Sequence, residues 1–210
     1  MDLNNKELIV IGDIGKAPTL IFWFHGYGSN NWSFEPTMKM INMYLDDNVC
    51  IIMPNAPVVE GKRSWYPLPS TDSSGHIVED YEGLESSKKS ISDFISNFKI
   101  HNDQKIIIGG FSQGAALSLS MLFSTNLKID GCIALSGYMP SAEYYKEVEI
   151  KNTKIFIAHG YSDQAISFDD YKKTYEFLSN KTSNIVSYTN DFGHTITKEV
   201  YDKIIKWLDE

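Results

Sequence analysis

The segment Lys105-Ile-Ile-Ile-Gly-Gly-Phe-Ser112-Gln-Gly114-Ala-Ala-Leu holds residue types that could perform nucleophilic chemistry. Gly110-Phe-Ser112-Gln-Gly114 is a G-x-S-x-G pattern, directly after an apolar run that reads as a strand and directly before 115–123, which reads as a buried helix. A nucleophile projecting from a sharp strand-to-helix turn needs glycine two positions to either side, where a side chain would collide with neighbouring backbone. A helix starting there also points its free N–H groups at the site and favours negative charge on a reacting oxygen. Two glycines could equally do no more than pack a strand against a helix. The flanking strand and helix are what make the pattern a catalytic expectation.

A serine at neutral pH needs a base, and the histidines are His25, His76, His101, His159 and His194. Where the nucleophile sits on such a turn, the acid and then the histidine follow it along the chain, which leaves His159 and His194. His159 lies at a strand end, whereas His194, in Asp191-Phe-Gly-His194-Thr, lies in a loop that could carry an imidazole over a sheet edge. His194 is therefore the expected base. Asp163, in the turn after the preceding strand, is the expected acid that orients it, with Asp191 the rival. Acyl transfer also needs two oxyanion donors. The backbone N–H groups of Gln113 and of Tyr27, in the turn His25-Gly-Tyr27-Gly28, are the candidates. His25 and His159, each followed by glycine, are expected to shape their turns and not to titrate in catalysis.

Short apolar runs at 8–11, 19–24, 49–53, 105–109, 131–135, 154–158 and 185–189 read as the strands that would position these groups. Several are apolar at every position, as a strand covered on both faces requires, which predicts a mainly parallel sheet. Between them the period changes to that of a helix. Ile91, Phe94, Ile95 and Phe98 mark one stripe; Ile196, Val200, Ile204, Ile205 and Leu208 mark another. A third helix opens at Ser167, with Asp170 three residues on, and carries Phe168, Tyr171, Tyr175 and Leu178. Alternating strands and helices predict an open α/β sheet with helices on both faces and a site beyond the carboxyl ends of the strands. The stretch 54–76, with four prolines and Trp65, Tyr66 and Leu68 in its middle, reads as a long functional loop. At 210 residues the chain is expected to be a single domain spanning 1–210.

Nineteen Lys plus Arg against 27 Asp plus Glu give a net charge of −8, a field that repels phosphate backbones and anionic headgroups, so nucleic acid is excluded as an expected partner. No apolar run is long enough for a membrane span, so no stable membrane insertion is expected. The N-terminus lacks the pattern of a signal peptide, and Cys50 and Cys132 sit singly in apolar runs that form neither a disulfide framework nor a zinc site. A cytoplasmic, reduced protein is the expectation, which sets aside the sequons at Asn31 and Asn180. Scattered histidines imply no metal, and neither G-x-G-x-x-G nor a Walker pattern occurs, so no cofactor is expected. Ser86-Ser-Lys-Lys89 matches S-x-x-K without its companion elements and reads as a solvated helix face.

Taken in order, Gly109-Gly-Phe-Ser112-Gln-Gly114-Ala, His25-Gly-Tyr27-Gly28, Pro54-Asn-Ala-Pro57, Ser64-Trp65-Tyr66, Ala134-Leu-Ser-Gly137, His159-Gly-x-x-Asp163 and Gly193-His194 resemble the phospholipase/carboxylesterase family of α/β-hydrolases, which includes acyl-protein thioesterases. The resemblance implies a triad of Ser112, Asp163 and His194, oxyanion donors at Tyr27 and Gln113, and a short acyl groove without a large cap domain. It also raises the expectation of a homodimer. Departures are Gln164-Ala-Ile-Ser167, where the family more often has Pro-x-Val-Pro, Ala115 in place of a frequent Gly, and Tyr27 in place of Leu. Trp65, Tyr66, Leu68 and Met139 are expected to line the acyl groove. The expected activity is hydrolysis of an ester or thioester of a small molecule, lipid or acylated protein, through an acyl-enzyme. A lysophospholipase or small-ester carboxylesterase is the alternative, and a non-catalytic ligand-binding protein on the same fold the remote one.

Overall fold

A computed structural model describes residues 7–74, 77–123, 127–150 and 152–210. The N-terminal residues 1–6, and Gly75 and His76 at the end of the expected loop, lie outside the described residues. In chain order the elements are β1 (Ile9–Ile11), β2 (Thr19–Phe24), α1 (Glu35–Tyr44), β3 (Val49–Met53), β4 (Val58–Val59), β5 (Lys62–Arg63), β6 (Ser70–Thr71), β7 (Ile77–Val78), α2 (Tyr81–Ser96), β8 (Lys105–Phe111), α3 (Gln113–Met121), β9 (Gly131–Leu135), β10 (Lys154–Gly160), α4 (Phe168–Ser179), β11 (Ile185–Asn190) and α5 (Lys198–Asp209). The main sheet has the order β1-β3-β2-β8-β9-β10-β11. Only β1 runs antiparallel, against β3; the remaining pairs are parallel.

Continuous apolar runs become fully covered strands: every residue of β3 and β9 is buried. On one face, Leu84, Ile91, Ala116 and Leu178 from α2, α3 and α4 join Phe22, Ile108 and Cys132 of the sheet. On the other, Met38 and Ile41 of α1 and Val200, Ile204 and Trp207 of α5 cover Ile51, Ile107 and Phe156. Helix α3 is buried at every position, so it shows no polar face and no helical periodicity. The α4 start behaves as its sequence predicts, with Ser167 Oγ accepting the Asp170 N–H at 3.1 Å.

Three local expectations are corrected. Helix α2 ends at Ser96, and Phe98 lies past it, yet its ring still meets Phe22 and Phe94; a turn that returns to the same core prolongs the apolar period beyond the helix. The stretch after β3 is not featureless: it folds into the short hairpins β4–β5 and β6–β7. Within Ser86-Ser-Lys-Lys89 only the outer two are solvated. Ser87 and Lys88 are buried, the lysine held by Glu85 Oε1 at 2.6 Å and the Tyr145 hydroxyl at 2.9 Å.

The topology decides where a site can form. From β2 the connections run outward to β3 on one side, then return to β8 on the other, so the β2–β8 boundary is the switch point at which loops diverge and leave a crevice. Phe24 pairs with Gly110 there, which brings the turns after β2 and β8 side by side.

Candidate active site

Ser112 stands between β8 and α3 with φ 56° and ψ −118°, a region that non-glycine residues rarely enter. Its backbone is fixed by Ser112 N–H donating to Leu135 O at 2.9 Å and by its carbonyl accepting from Ala116 N–H at 3.0 Å. The two flanking glycines are required by contact, not only by conformation. A Cβ on Gly110 would lie 2.5 Å from Phe24 O, and one on Gly114 would lie 2.0 Å from that same oxygen. Ala115 is accommodated because its neighbour across the turn is Gly137, where a Cβ would sit 2.5 Å from the Ala115 Cβ.

Asp163 and His194 meet although 31 residues separate them: the imidazole Nδ1 and Asp163 Oδ2 are 2.7 Å apart. The parallel pairing of β10 with β11, ending at Gly160 opposite Asn190, brings the two following loops together. The Asp163 side chain has no exposed surface, and its other oxygen accepts N–H groups from Ala165 at 2.8 Å and Ile166 at 2.9 Å. Those donors belong to the Gln164-Ala-Ile segment in which the chain departs from the proline-bearing pattern of the family it resembles. The rival carboxylate, Asp191, instead accepts the Ser162 hydroxyl at 2.6 Å. His194 is a quarter exposed and packs against Phe111, with ring centroids 4.7 Å apart. With Nδ1 committed to the carboxylate, Nε2 is the nitrogen left for exchange with a nucleophile.

Gly160 sets the spacing of these two loops, because a Cβ there would lie 1.9 Å from Phe192 O, two residues before His194. Gly160→Ala is expected to displace the His194 loop and lower kcat/KM by about 10²-fold, the cost of misplacing a reacting group by roughly an ångström. Ester hydrolysis by the purified variant measures it, and a loss under threefold would contradict this account.

The turn after β2 packs directly on the serine, since a Cβ on Gly26 would be 3.3 Å from Ser112 Cβ. His25 shapes that turn. Its Nδ1–H reaches Gly26 O at 2.8 Å while Nε2 accepts Ala56 N–H at 3.0 Å, which defines a neutral tautomer. Burial pushes its pKa down from 6.5 to about 4, with the Arg63 charge acting the same way against the Gly26 carbonyl. Because the unfolded chain then takes up the proton first, the stability tied to neutral His25 is whole above pH 6.5 and is gone below about 4. It is worth roughly 3 kcal/mol. Thermal melts at pH 7 and 4.5 should therefore lose more stability in the native chain than in His25→Gln; equal losses would refute this. His159 likewise shapes a loop, its Nε2 lying 3.0 Å from Ile166 O, and burial lowers its pKa.

A cavity of about 930 Å³ opens over Ser112 and Gln113, and Tyr27, Tyr66, Leu68 and Met139 are in its wall. Trp65 is not among the residues lining it, which corrects its expected place in the acyl groove. It is fully buried, its ring against Phe24 and its indole N–H bonded to His25 O at 2.7 Å. The sequence reading missed Tyr138, Thr174 and Phe177 in the wall. Tyr138 follows the carboxyl end of β9, a position that could have flagged it; Thr174, a polar residue on the buried stripe of α4, was a weaker signal. Among the described residues, no His, Cys, Asp and Glu group could hold a metal ion, and no helix is long and apolar enough to cross a membrane.

The model of the Phospholipase/Carboxylesterase family matches residues 4–210. The chain belongs to that family. Among its relatives are Acyl-protein thioesterase 1 of Candida albicans, 30% identical over 92% of each chain, and Acyl-protein thioesterase 1 homolog 1 of Dictyostelium discoideum, 33% identical over 98% of this chain and 96% of the relative. Solved structures of like fold include Zea mays acyl-protein thioesterase 2, with TM-score 0.82 at 22% identity, covering 96% of this chain and 97% of the other. The Bacillus cereus carboxylesterase aligns with TM-score 0.77 at 20% identity, covering 96% and 92%. This phospholipase/carboxylesterase member is thus a serine hydrolase with an α/β-hydrolase fold, with no cap domain among the described residues.

Proposed function

We propose that the chain hydrolyses carboxylic esters or thioesters through an acyl-enzyme, with Ser112 as nucleophile, His194 as base and Asp163 as the acid that orients it. The observation carrying this is the 2.7 Å bond between His194 Nδ1 and Asp163 Oδ2, with the His194 ring packed on Phe111, the residue that precedes a serine held in a strained turn at the cavity wall. His194 Nε2 takes the Ser112 proton as Oγ attacks the carbonyl carbon, and the tetrahedral oxyanion is held by the N–H groups of Tyr27 and Gln113. As the tetrahedral species collapses, the C–O or C–S bond breaks and His194 returns its proton to the departing alcohol or thiol. Water, deprotonated by the same nitrogen, then attacks the acyl-serine and releases the acid.

Tyr66, Leu68, Met139 and Phe177 give the cavity an apolar wall suited to an acyl chain. The relatives' names favour a thioester of an acylated protein as substrate. Two buried free thiols, Cys50 and Cys132, suit a reduced cytoplasmic setting. The test is kcat/KM across p-nitrophenyl esters from acetyl to palmitoyl and the corresponding acyl thioesters. A rise toward long chains with thioesters preferred is expected. An optimum at acetyl would replace this with a small-ester carboxylesterase, and inactivity at every length would leave a ligand-binding protein.

A further inference from the structure

Two oxyanion donors on separate loops must be held at a fixed separation, because each has to lie about 2.7–3.1 Å from an oxygen that exists only during reaction. Tyr27 follows β2 and Gln113 follows β8, and the sheet register aligns the strand ends, not the loops beyond them. Residues 63–66 touch both loops. Gly28 N–H donates to Arg63 O at 2.8 Å, and the Trp65 indole N–H donates to His25 O at 2.7 Å, so the Tyr27 turn is gripped on either side. From the other loop the buried Gln113 side chain returns the grip. Its Oε1 accepts Trp65 N–H at 3.0 Å, while Nε2 donates to Ser64 Oγ at 3.0 Å and to Tyr66 O at 2.7 Å. Every hydrogen-bonding position of the amide nitrogen is used, and the partners fix its orientation: a backbone N–H faces the oxygen and a carbonyl faces the nitrogen.

We propose that residues 63–66 are a hydrogen-bonded bridge that sets the separation of the two oxyanion donors, with the side chains of Gln113 and Trp65 as positioning residues. This rests on the oxyanion assignment made above. Residue 113 then has two separate duties, its backbone N–H binding the developing charge and its side chain locating the other donor. The bridge is anchored from outside the site as well. Ser87 Oγ donates to Trp65 O, and the only arginine of the chain, Arg63, donates to Ala56 O at 2.9 Å and pairs with Glu7. The hydrogen bonds of both positioning side chains go to the bridge and to His25 O, so their loss should be felt in the transition state and not in substrate binding.

The experiment uses Trp65→Phe, which keeps a ring against Phe24 and removes only the indole donor, and Gln113→Glu, which keeps the shape and replaces the donating nitrogen by oxygen. Active sites are counted by stoichiometric labelling with a fluorophosphonate, so kcat refers to folded, reactive protein whatever fraction each variant yields. Each variant is expected to lose about 10- to 100-fold in kcat with KM within about threefold, below the roughly 10²- to 10³-fold of deleting a donor outright. Affinity for an alkyl trifluoromethyl ketone, whose serine adduct carries the oxyanion, should fall by the same factor. If both variants melt at lower temperature but keep wild-type kcat per labelled site, the bridge is merely structural and the proposal is overturned. If wild-type hydrolysis survives Ser112→Ala, the assignment of Ser112 as nucleophile falls first and takes the bridge with it.

Discussion

Replacing Ser112 by alanine is expected to lower kcat/KM for p-nitrophenyl esters by about 10⁴-fold or more, the scale seen when a nucleophile acting as one unit with its base is removed. The substitution deletes one oxygen atom and leaves the backbone bonds to Leu135 and Ala116 in place. Alanine and serine tolerate the φ of 56° equally poorly, so the melting temperature should hardly change. What remains would be attack by water assisted by the oxyanion donors. Steady-state kinetics beside fluorophosphonate labelling reads the outcome. Activity within tenfold of wild type would place the nucleophile elsewhere.

Asp163→Asn should cost nearly as much, about 10⁴-fold in kcat at neutral pH, by a different route. The carboxylate uses Oδ1 for the N–H groups of Ala165 and Ile166 and Oδ2 for His194. An asparagine that keeps its oxygen on the two backbone donors must turn its NH₂ toward Nδ1. The imidazole then carries its proton on Nε2, the nitrogen that has to receive the serine proton, and the base is disabled without moving. Loss of the downfield Nδ1 proton resonance should accompany the kinetic effect. Asp191→Asn, altering a group bonded to Ser162, is expected to change kcat less than threefold. Equal effects of the two substitutions would remove Asp163 from its role.

The parts of the molecule that follow from local patterns were legible in the chain. Strand β9 begins and ends where its apolar run does, and the cap at Ser167 is written in two residues. The turn at Ser112 is legible because two glycines are needed where strand, turn and helix crowd together. The errors lie where partners are distant. Trp65 and Tyr66 are adjacent aromatics in a non-periodic loop, and nothing local says that one ring turns inward to a carbonyl 40 residues earlier while the other faces the cavity. Of the cavity wall, Tyr66, Leu68 and Met139 could be named from loop positions at the sheet edge. Thr174 and Phe177 could not, because the apolar pattern of their helix marks only its core stripe and does not say that the face carrying Asp170 and Lys173 lines the opening.

The conformation at Ser112 sets folding against chemistry at a single position. A side chain held in that region costs about 1–3 kcal/mol, which glycine would largely escape. Under the proposed mechanism the residue best suited to a relaxed native chain is therefore the one that cannot react, and the protein carries its hydroxyl as a standing load on its stability. The surrounding contacts have to over-determine the turn, and here they do: Gly26 in front, Gly137 behind, and Leu135 and Ala116 through the backbone leave the strained peptide no easier conformation to fall into.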